Sequence, residues 1–166
     1  MRHLAENLRG LLERDFGNRV TFDDMERRLY GHDIASMPRL VKPLIGDTTP
    51  HAVVQPSSEE EVVDLVRWAR DNDLSLVARG KATSGYGGVL PIAGGVVVDF
   101  WRMKSVLEVG DETVIVEPGI SWEQLDRALA EQGRTLRVPA SFSPDTLIYN
   151  RLHRGRLARP GWRRYR

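Results

Sequence analysis

Apolar positions along this chain recur first at helical spacing and later in short continuous runs, and the rhythm changes near residue 51. In "RHLAENLRGLLERDFG", Leu4, Leu8, Leu11 and Leu12 fall on one helical face, and Gly17 stands where a C-terminal cap belongs. Residues 22–30 predict a second, shorter helix. Residues 31–50 hold three prolines without a period and read as an irregular lead-in. From His51 onward, "AVVQ" predicts a short buried strand that Pro56 stops. Ser58 and Glu61 then form the capping-box pattern of a helix that turns Val62, Leu65, Val66 and Ala69 inward. Glu59, Glu60 and Glu61 suit the positive start of that helix, and Arg67 and Arg70 its negative end. Residues 74–78 predict a second strand, and a right-handed crossover makes the two strands parallel.

Three further runs, "GGVVVDF", "SVLEV" and "ETVIVEPG", are separated by short polar turns such as Gly110-Asp111 and predict an antiparallel meander. "SWEQLDRALAEQG" is a helix with Ser121 and Gln124 as its capping box. Leu125, Ala128 and Leu129 share one face, and Gly133 is the C-cap. "RTLRV" starts another strand, and beyond about Arg137 the alternation of elements dissolves.

Composition narrows the chemistry. A chain of 166 residues suffices for one domain or for the leading piece of something larger. No apolar run approaches the roughly 18 residues of a membrane span, and the first twenty residues carry charges throughout, unlike a signal peptide. The expected location is cytoplasmic, with peripheral attachment to the inner face of the membrane as the alternative. Cysteine is absent, which excludes a disulfide, a thiol nucleophile and iron–sulfur ligands from this chain. The histidines at 3, 32, 51 and 153 are too scattered for a local metal site. Redox chemistry would therefore need a bound organic cofactor, and no residue stands out as a catalytic acid or base. The charge is uneven: residues 151–166 hold seven arginines and no acid, so the net +1 less seven leaves −6 on residues 1–150.

The segment "LVARGKATSGYGGVLP" places four glycines directly after the second strand, at its carboxyl end, where open α/β sheets put ligands. A dinucleotide fingerprint needs its glycines to open into a helix, and "VLPIAGGVVVDF" continues as loop and strand. A Walker loop needs glycine at 75 and a hydroxyl residue at 82, where Ser75 and Ala82 stand. Two readings stay open: a structural turn, or a loop whose backbone N–H groups converge on a pyrophosphate. In the second, Thr83 and Ser84 add hydroxyls and Arg79 or Lys81 a positive charge. Tyr86 either approaches a ligand or only covers the loop. Trp68 and Trp122 fall on helices and read as packing residues, and Asp99 and Glu117 at strand ends read as solvated.

Five motifs in fixed order, "PHAVVQPSSEEEV", "RGKATSGYGG", "GGVVVDF", "WRMKSV" and "TVIVEPGISWEQL", resemble the flavin-binding domain of the FAD-linked oxidase family, of vanillyl-alcohol oxidase, glycolate oxidase and D-lactate dehydrogenase type. The resemblance spans about residues 50–137. It implies an α+β fold in which FAD lies across two α/β subdomains, a small parallel β-α-β unit and a mainly antiparallel sheet, with residues 1–49 as a helical lead-in. It also implies that Arg79, Gly80, Lys81, Ala82, Thr83 and Ser84 face the pyrophosphate, that Gly85 and Gly88 complete the turn, and that Pro118 and Gly119 line the cofactor less directly. Some relatives attach FAD through a histidine where Thr83 stands, so non-covalent FAD is expected here. The implied activity is oxidation of a small 2-hydroxy acid by hydride transfer to flavin, with a redox partner to take the electrons. A nucleotide-binding module without catalysis is the alternative.

Residues 138–166 depart from the family, which continues with a second glycine-rich stretch similar to "STVGGWLAQGG". When Leu152–Arg166 is back-translated with one permitted set of synonymous codons and shifted by one nucleotide, it reads STVGGWLAQGGGGIG. The expectation is that the chain from somewhere between about 138 and 151 onward is out-of-frame translation, that this Arg-rich tail is disordered, that the flavin domain is incomplete, and that turnover is little or none. The competing reading makes the tail a basic arm for nucleic acid or an anionic membrane. Proline and tryptophan interrupt any amphipathic helix there, which weighs against it. Sequencing the gene decides between them: the displaced frame is expected to encode the glycine-rich stretch, and its absence there refutes the frameshift.

Overall fold

A computed structural model describes residues 6–34, 42–83, 85–92, 94–111 and 113–135. Helix α1 (Glu6–Phe16) buries Leu12 and Phe16 and ends at Gly17, whose φ of +55° is open to a residue without a Cβ. A short strand β1 (Val20–Thr21) follows, then α2 (Asp24–Leu29), whose first turn is capped by the Asp23 carboxylate accepting from the N–H groups of Met25 and Glu26. The proline-rich lead-in contributes one turn of helix, α3 (Lys42–Ile45).

The main sheet has four strands in the order β1-β2-β4-β3, with β2 at Ala52–Val54, β3 at Leu76–Arg79 and β4 at Val96–Asp99. Strand β1 pairs antiparallel with β2, and β4 lies parallel between β2 and β3. Helix α4 (Glu59–Asp71) makes the crossover from β2 to β3. Leu12, Phe16, Ala52, Val54, Leu65, Val96 and Val98 form one core, against which Trp68 and Phe100 also pack. The helical lead-in and the parallel strands thus share one interior.

A second, two-stranded antiparallel sheet is built from β5 (Val106–Val109) and β6 (Val114–Val116), with an irregularity between Val106 and Glu108. Helix α5 (Trp122–Ala130) covers one of its faces, burying Trp122, Leu125 and Leu129. Ser121 and Gln124 form the capping box foreseen for α5, and Gly133 ends it with φ +69°. The fold is α+β, a parallel β-α-β unit beside a small antiparallel sheet.

Three expectations change. "GGVVVDF" does not belong to a meander: its valines are buried on both faces, as a central parallel strand requires, so it enters the first sheet. Val66 is 51% exposed, because the inward stripe of α4 is narrower than its valines suggest and rests on Leu65 and Ala69. Ser58 caps α4 by accepting the N–H of Glu61, yet the Glu61 carboxylate turns to the Ser57 N–H at 2.8 Å and to Arg19 at 2.7 Å instead of closing the box. The strand expected at "RTLRV" and everything beyond it lie largely or wholly outside the described residues.

The Arg19–Glu61 pair ties β1 to the start of α4, and its hydrogen bond holds the Glu61 carboxyl at about 2, well below the usual carboxylate range. A depressed carboxylate stabilises the fold above its unfolded pKa near 4.5 and loses that contribution as pH falls toward 2. Denaturant titrations at pH 7 and pH 3 are expected to show Glu61→Gln costing about 1–2 kcal/mol at neutral pH, with the gap closing in acid.

Candidate functional site

Because β2, β3 and β4 run parallel, their carboxyl ends deliver Gln55, Arg79, Gly80, Lys81, Asp99 and Trp101 to one edge of the sheet. Leu29 and Tyr30, from the end of α2, complete an open cleft of about 450 Å³ there. That size falls within the range of small-molecule sites, and its walls combine aromatic faces with a cation and a few fixed polar groups.

The hub of the cleft is Asp99, 6% exposed. Its Oδ2 accepts from the Tyr30 hydroxyl at 2.8 Å and from Gln55 Nε2 at 2.9 Å, and its Oδ1 accepts the Trp101 N–H at 3.1 Å. Gln55 Oε1 in turn accepts from Arg102 Nε at 3.0 Å. Burial, with the Asp99 charge and hydrogen bond adding to it, pushes the Tyr30 phenol up to about 12. Asp99 is therefore buried and partnered, against the expectation of a solvated strand end. The signal was present in "VVVD": a carboxylate directly after a run buried on both faces needs donors of its own. Glu117 accepts the Ser105 N–H at 2.7 Å.

Arg79 is also buried, and burial pushes its guanidinium below its ordinary value while Tyr30, Asp99 and Asp33 oppose the shift. Nη1 donates to the carbonyls of Tyr30 and His32, both at 3.0 Å, and Nη2 to Leu29 at 3.4 Å, with the Tyr30 ring 5.0 Å away. Lys81 is exposed, with its ammonium 5.8 Å from the Trp101 ring, and Lys104 reaches the same ring at 5.5 Å. Trp101, at 47% exposure, is a wall of the cleft that sequence reasoning did not single out.

Within the glycine loop, Gly80 is buried beside the cleft, and Ala82 holds the left-handed conformation at φ +54° with its methyl buried. Gly85 and Gly87 are left-handed too, at +65° and +76°, and Gly87 donates its N–H to Asp33 at 2.8 Å. Thr83 and Gly88 are exposed, and Tyr86 extends outward at 85% exposure. Ser84 lies outside the described residues. Pro118 and Gly119 join β6 to α5. Gly119 is buried against the turn at residues 100–103, where a Cβ would overlap the carbonyls of Phe100 and Met103. Trp68 and Trp122 sit in the two cores, as packing residues should. Among the described residues no group of His, Asp or Glu side chains can hold a metal, and no helix is long and apolar enough to cross a membrane.

Residues 50–148 match a family described as FAD binding domain. The chain is 37% identical over 134 residues to a mitochondrial D-lactate dehydrogenase [cytochrome] of Arabidopsis thaliana, covering 80% of this chain and 22% of that protein. It is 34% identical over 96 residues to the D-2-hydroxyglutarate dehydrogenase of Stutzerimonas stutzeri, covering 57% and 20%. Against the glycolate oxidase subunit GlcD of Bacillus subtilis it is 31% identical over 86 residues, covering 51% and 18%. The chain thus spans about a fifth of the length of these relatives. Among solved structures it superposes on an alkyldihydroxyacetonephosphate synthase with a TM-score of 0.73 at 25% identity, covering 89% of this chain and 31% of that one. A 4-ethylphenol oxidase from Gulosibacter chungangensis gives 0.64 at 26% identity, covering 79% and 26%.

The Tyr30–Asp99 bond carries its own test. A phenol raised above its unfolded pKa of about 10 stabilises the fold below pH 10 and loses that contribution as pH rises through 12. Ultraviolet titration is expected to find one of the four tyrosines ionising near 12, and Tyr30→Phe is expected to delete that step at a cost of about 1–2 kcal/mol at neutral pH.

Proposed function

This chain belongs to the FAD binding domain family, and from that premise we propose that its glycine loop and the adjoining cleft seat FAD for the oxidation of a small 2-hydroxy acid. The cofactor is FAD, and the chain is the FAD-binding part of an FAD-linked oxidoreductase related to D-lactate, glycolate and D-2-hydroxyglutarate dehydrogenases and oxidases. Those three relatives are each named for a 2-hydroxy acid, which is what supports the substrate class. The observation that carries the seat is the cleft at the carboxyl ends of two parallel strands, bordered by the loop that starts at Gly80.

The donor set suits such a group. Small residues at 80, 82, 85 and 88 leave backbone amides uncovered by long side chains, and Lys81 brings a positive charge. Leu29, Tyr30 and Trp101 offer apolar and aromatic wall to a flat heterocycle. In this reading Gly80, Lys81, Ala82, Thr83 and Ser84 hold the pyrophosphate and Gly85 and Gly88 complete the turn, while Pro118 and Gly119 close the wall toward α5. Bound FAD supplies the hydride-accepting chemistry. The residues bind it, orient it and exclude water from one side. Thr83 has no nitrogen with which to form the covalent link some relatives make, so FAD is held non-covalently. On the expectation that the second glycine-rich stretch lies in the displaced frame, this chain turns over little or not at all.

Acid precipitation is the simplest check. The purified chain, supplied with FAD, is expected to show flavin absorbance that passes wholly into the supernatant, with negligible reduction of a dye by D-lactate, glycolate or D-2-hydroxyglutarate. Lys81→Met is expected to weaken FAD binding about tenfold, near 1.4 kcal/mol. A colourless protein, or flavin that stays with the pellet, overturns this reading.

A further inference from the structure

The segment 29–34, which starts at the last residue of α2, meets the glycine loop along its length. At the base of the loop Arg79 donates to the carbonyls of Leu29, Tyr30 and His32. In the middle, the Ile34 N–H donates to the carbonyl of Ala82 at 3.3 Å. Near the tip, the Asp33 carboxylate accepts the Gly87 N–H at 2.8 Å. The segment is itself fixed from behind, since Thr48 Oγ1 donates to the Gly31 carbonyl at 2.6 Å and Gly31 packs so closely on Thr48 that a Cβ would lie 2.9 Å from the Thr48 carbonyl oxygen.

We propose that residues 29–34 are a positioning clamp that sets the glycine loop in its anion-binding form before the cofactor arrives, with Arg79 and Asp33 acting through the loop and not on the phosphates. The proposal rests on the reading that FAD pyrophosphate sits in that loop. Two observations carry it. First, Ala82 keeps a left-handed backbone that is unfavourable for a non-glycine residue, and it keeps it where Ile34 pins its carbonyl and the interior takes its methyl. Second, a carboxylate and a pyrophosphate on the same N–H repel each other, so Asp33 on Gly87 marks the tip as the end away from the anion. The anion end is then the stretch from Gly80 to Thr83, beside the Lys81 ammonium. Arg79, which the family resemblance assigns to the pyrophosphate, has its guanidinium committed to the carbonyls of Leu29, Tyr30 and His32.

Asp33 makes the test decisive, because charge and positioning give opposite signs. Were Asp33 only a nearby negative charge, its removal would strengthen the binding of an anion. A positioning role makes removal weaken it. In the full chain, Asp33→Ala is expected to raise the FAD dissociation constant about tenfold. Asp33→Asn keeps an acceptor oxygen for Gly87 and is expected to bind at least as tightly as the unchanged chain. Hydrogen exchange on the FAD-free protein supplies the second readout: the Gly87 amide is expected to exchange at least tenfold faster in Asp33→Ala and at the original rate in Asp33→Asn. Unchanged or tighter binding by Asp33→Ala, or equal exchange in both variants, overturns the clamp. Failure of the unchanged chain to bind FAD refutes the cofactor reading instead, while the exchange rates still report on the clamp.

Discussion

The parallel placement of β4 between β2 and β3 is the constraint on which the rest depends. Val96, Val97 and Val98 are buried on both sides, so the strand has no solvent face and fits only the middle of a covered sheet. Once it is there, the three strands end together, and Gln55, Arg79 and Asp99 arrive at one edge without any loop having to aim them. Asp99 is the chemical consequence: a carboxylate carried to the end of an apolar strand is stable because Tyr30, Gln55 and the Trp101 N–H meet it. The glycine loop leaves β3 at that same edge, so its position is set by pairing and its conformation by what packs against it.

That division assigns different work to the two cations of the loop. Arg79 is buried, its planar fork satisfied by carbonyls from the end of α2, a use for which guanidinium geometry is suited. Lys81, two residues further, stays exposed against the Trp101 ring. In the proposed reading an anion in the cleft meets the lysine, while the arginine holds the frame. The lead-in up to residue 34 contributes to both, because α1 fills the core under the sheet and the segment after α2 reaches the loop.

Much of this was legible in the residues. The caps at Ser58, Ser121 and Gly133, the β-α-β unit and the glycine loop follow from local rules, because caps and turns are fixed by the few residues that form them. The five ordered motifs carried the family. What local rules do not contain is strand order: nothing in "GGVVVDF" read alone says which neighbour it chooses, and only its two-sided burial in the assembled sheet decides. The same holds for Arg79 and Asp99, which are held by groups 44 to 69 residues away in sequence, the Trp101 N–H aside. The turn at 29–34 was unreadable for the same reason, since the groups it presents to the glycine loop meet partners some fifty residues further along.

The central claim is that the glycine loop beginning at Gly80 holds a pyrophosphate, and comparing FAD with riboflavin in equilibrium titrations of the same protein tests it most directly. The two share the isoalloxazine ring and differ in the phosphates and adenosine. A phosphate-holding loop makes FAD bind at least a hundredfold more tightly, about 2.8 kcal/mol, with free ADP competing for the site. Equal affinities for FAD and riboflavin, with no competition from ADP, contradict it.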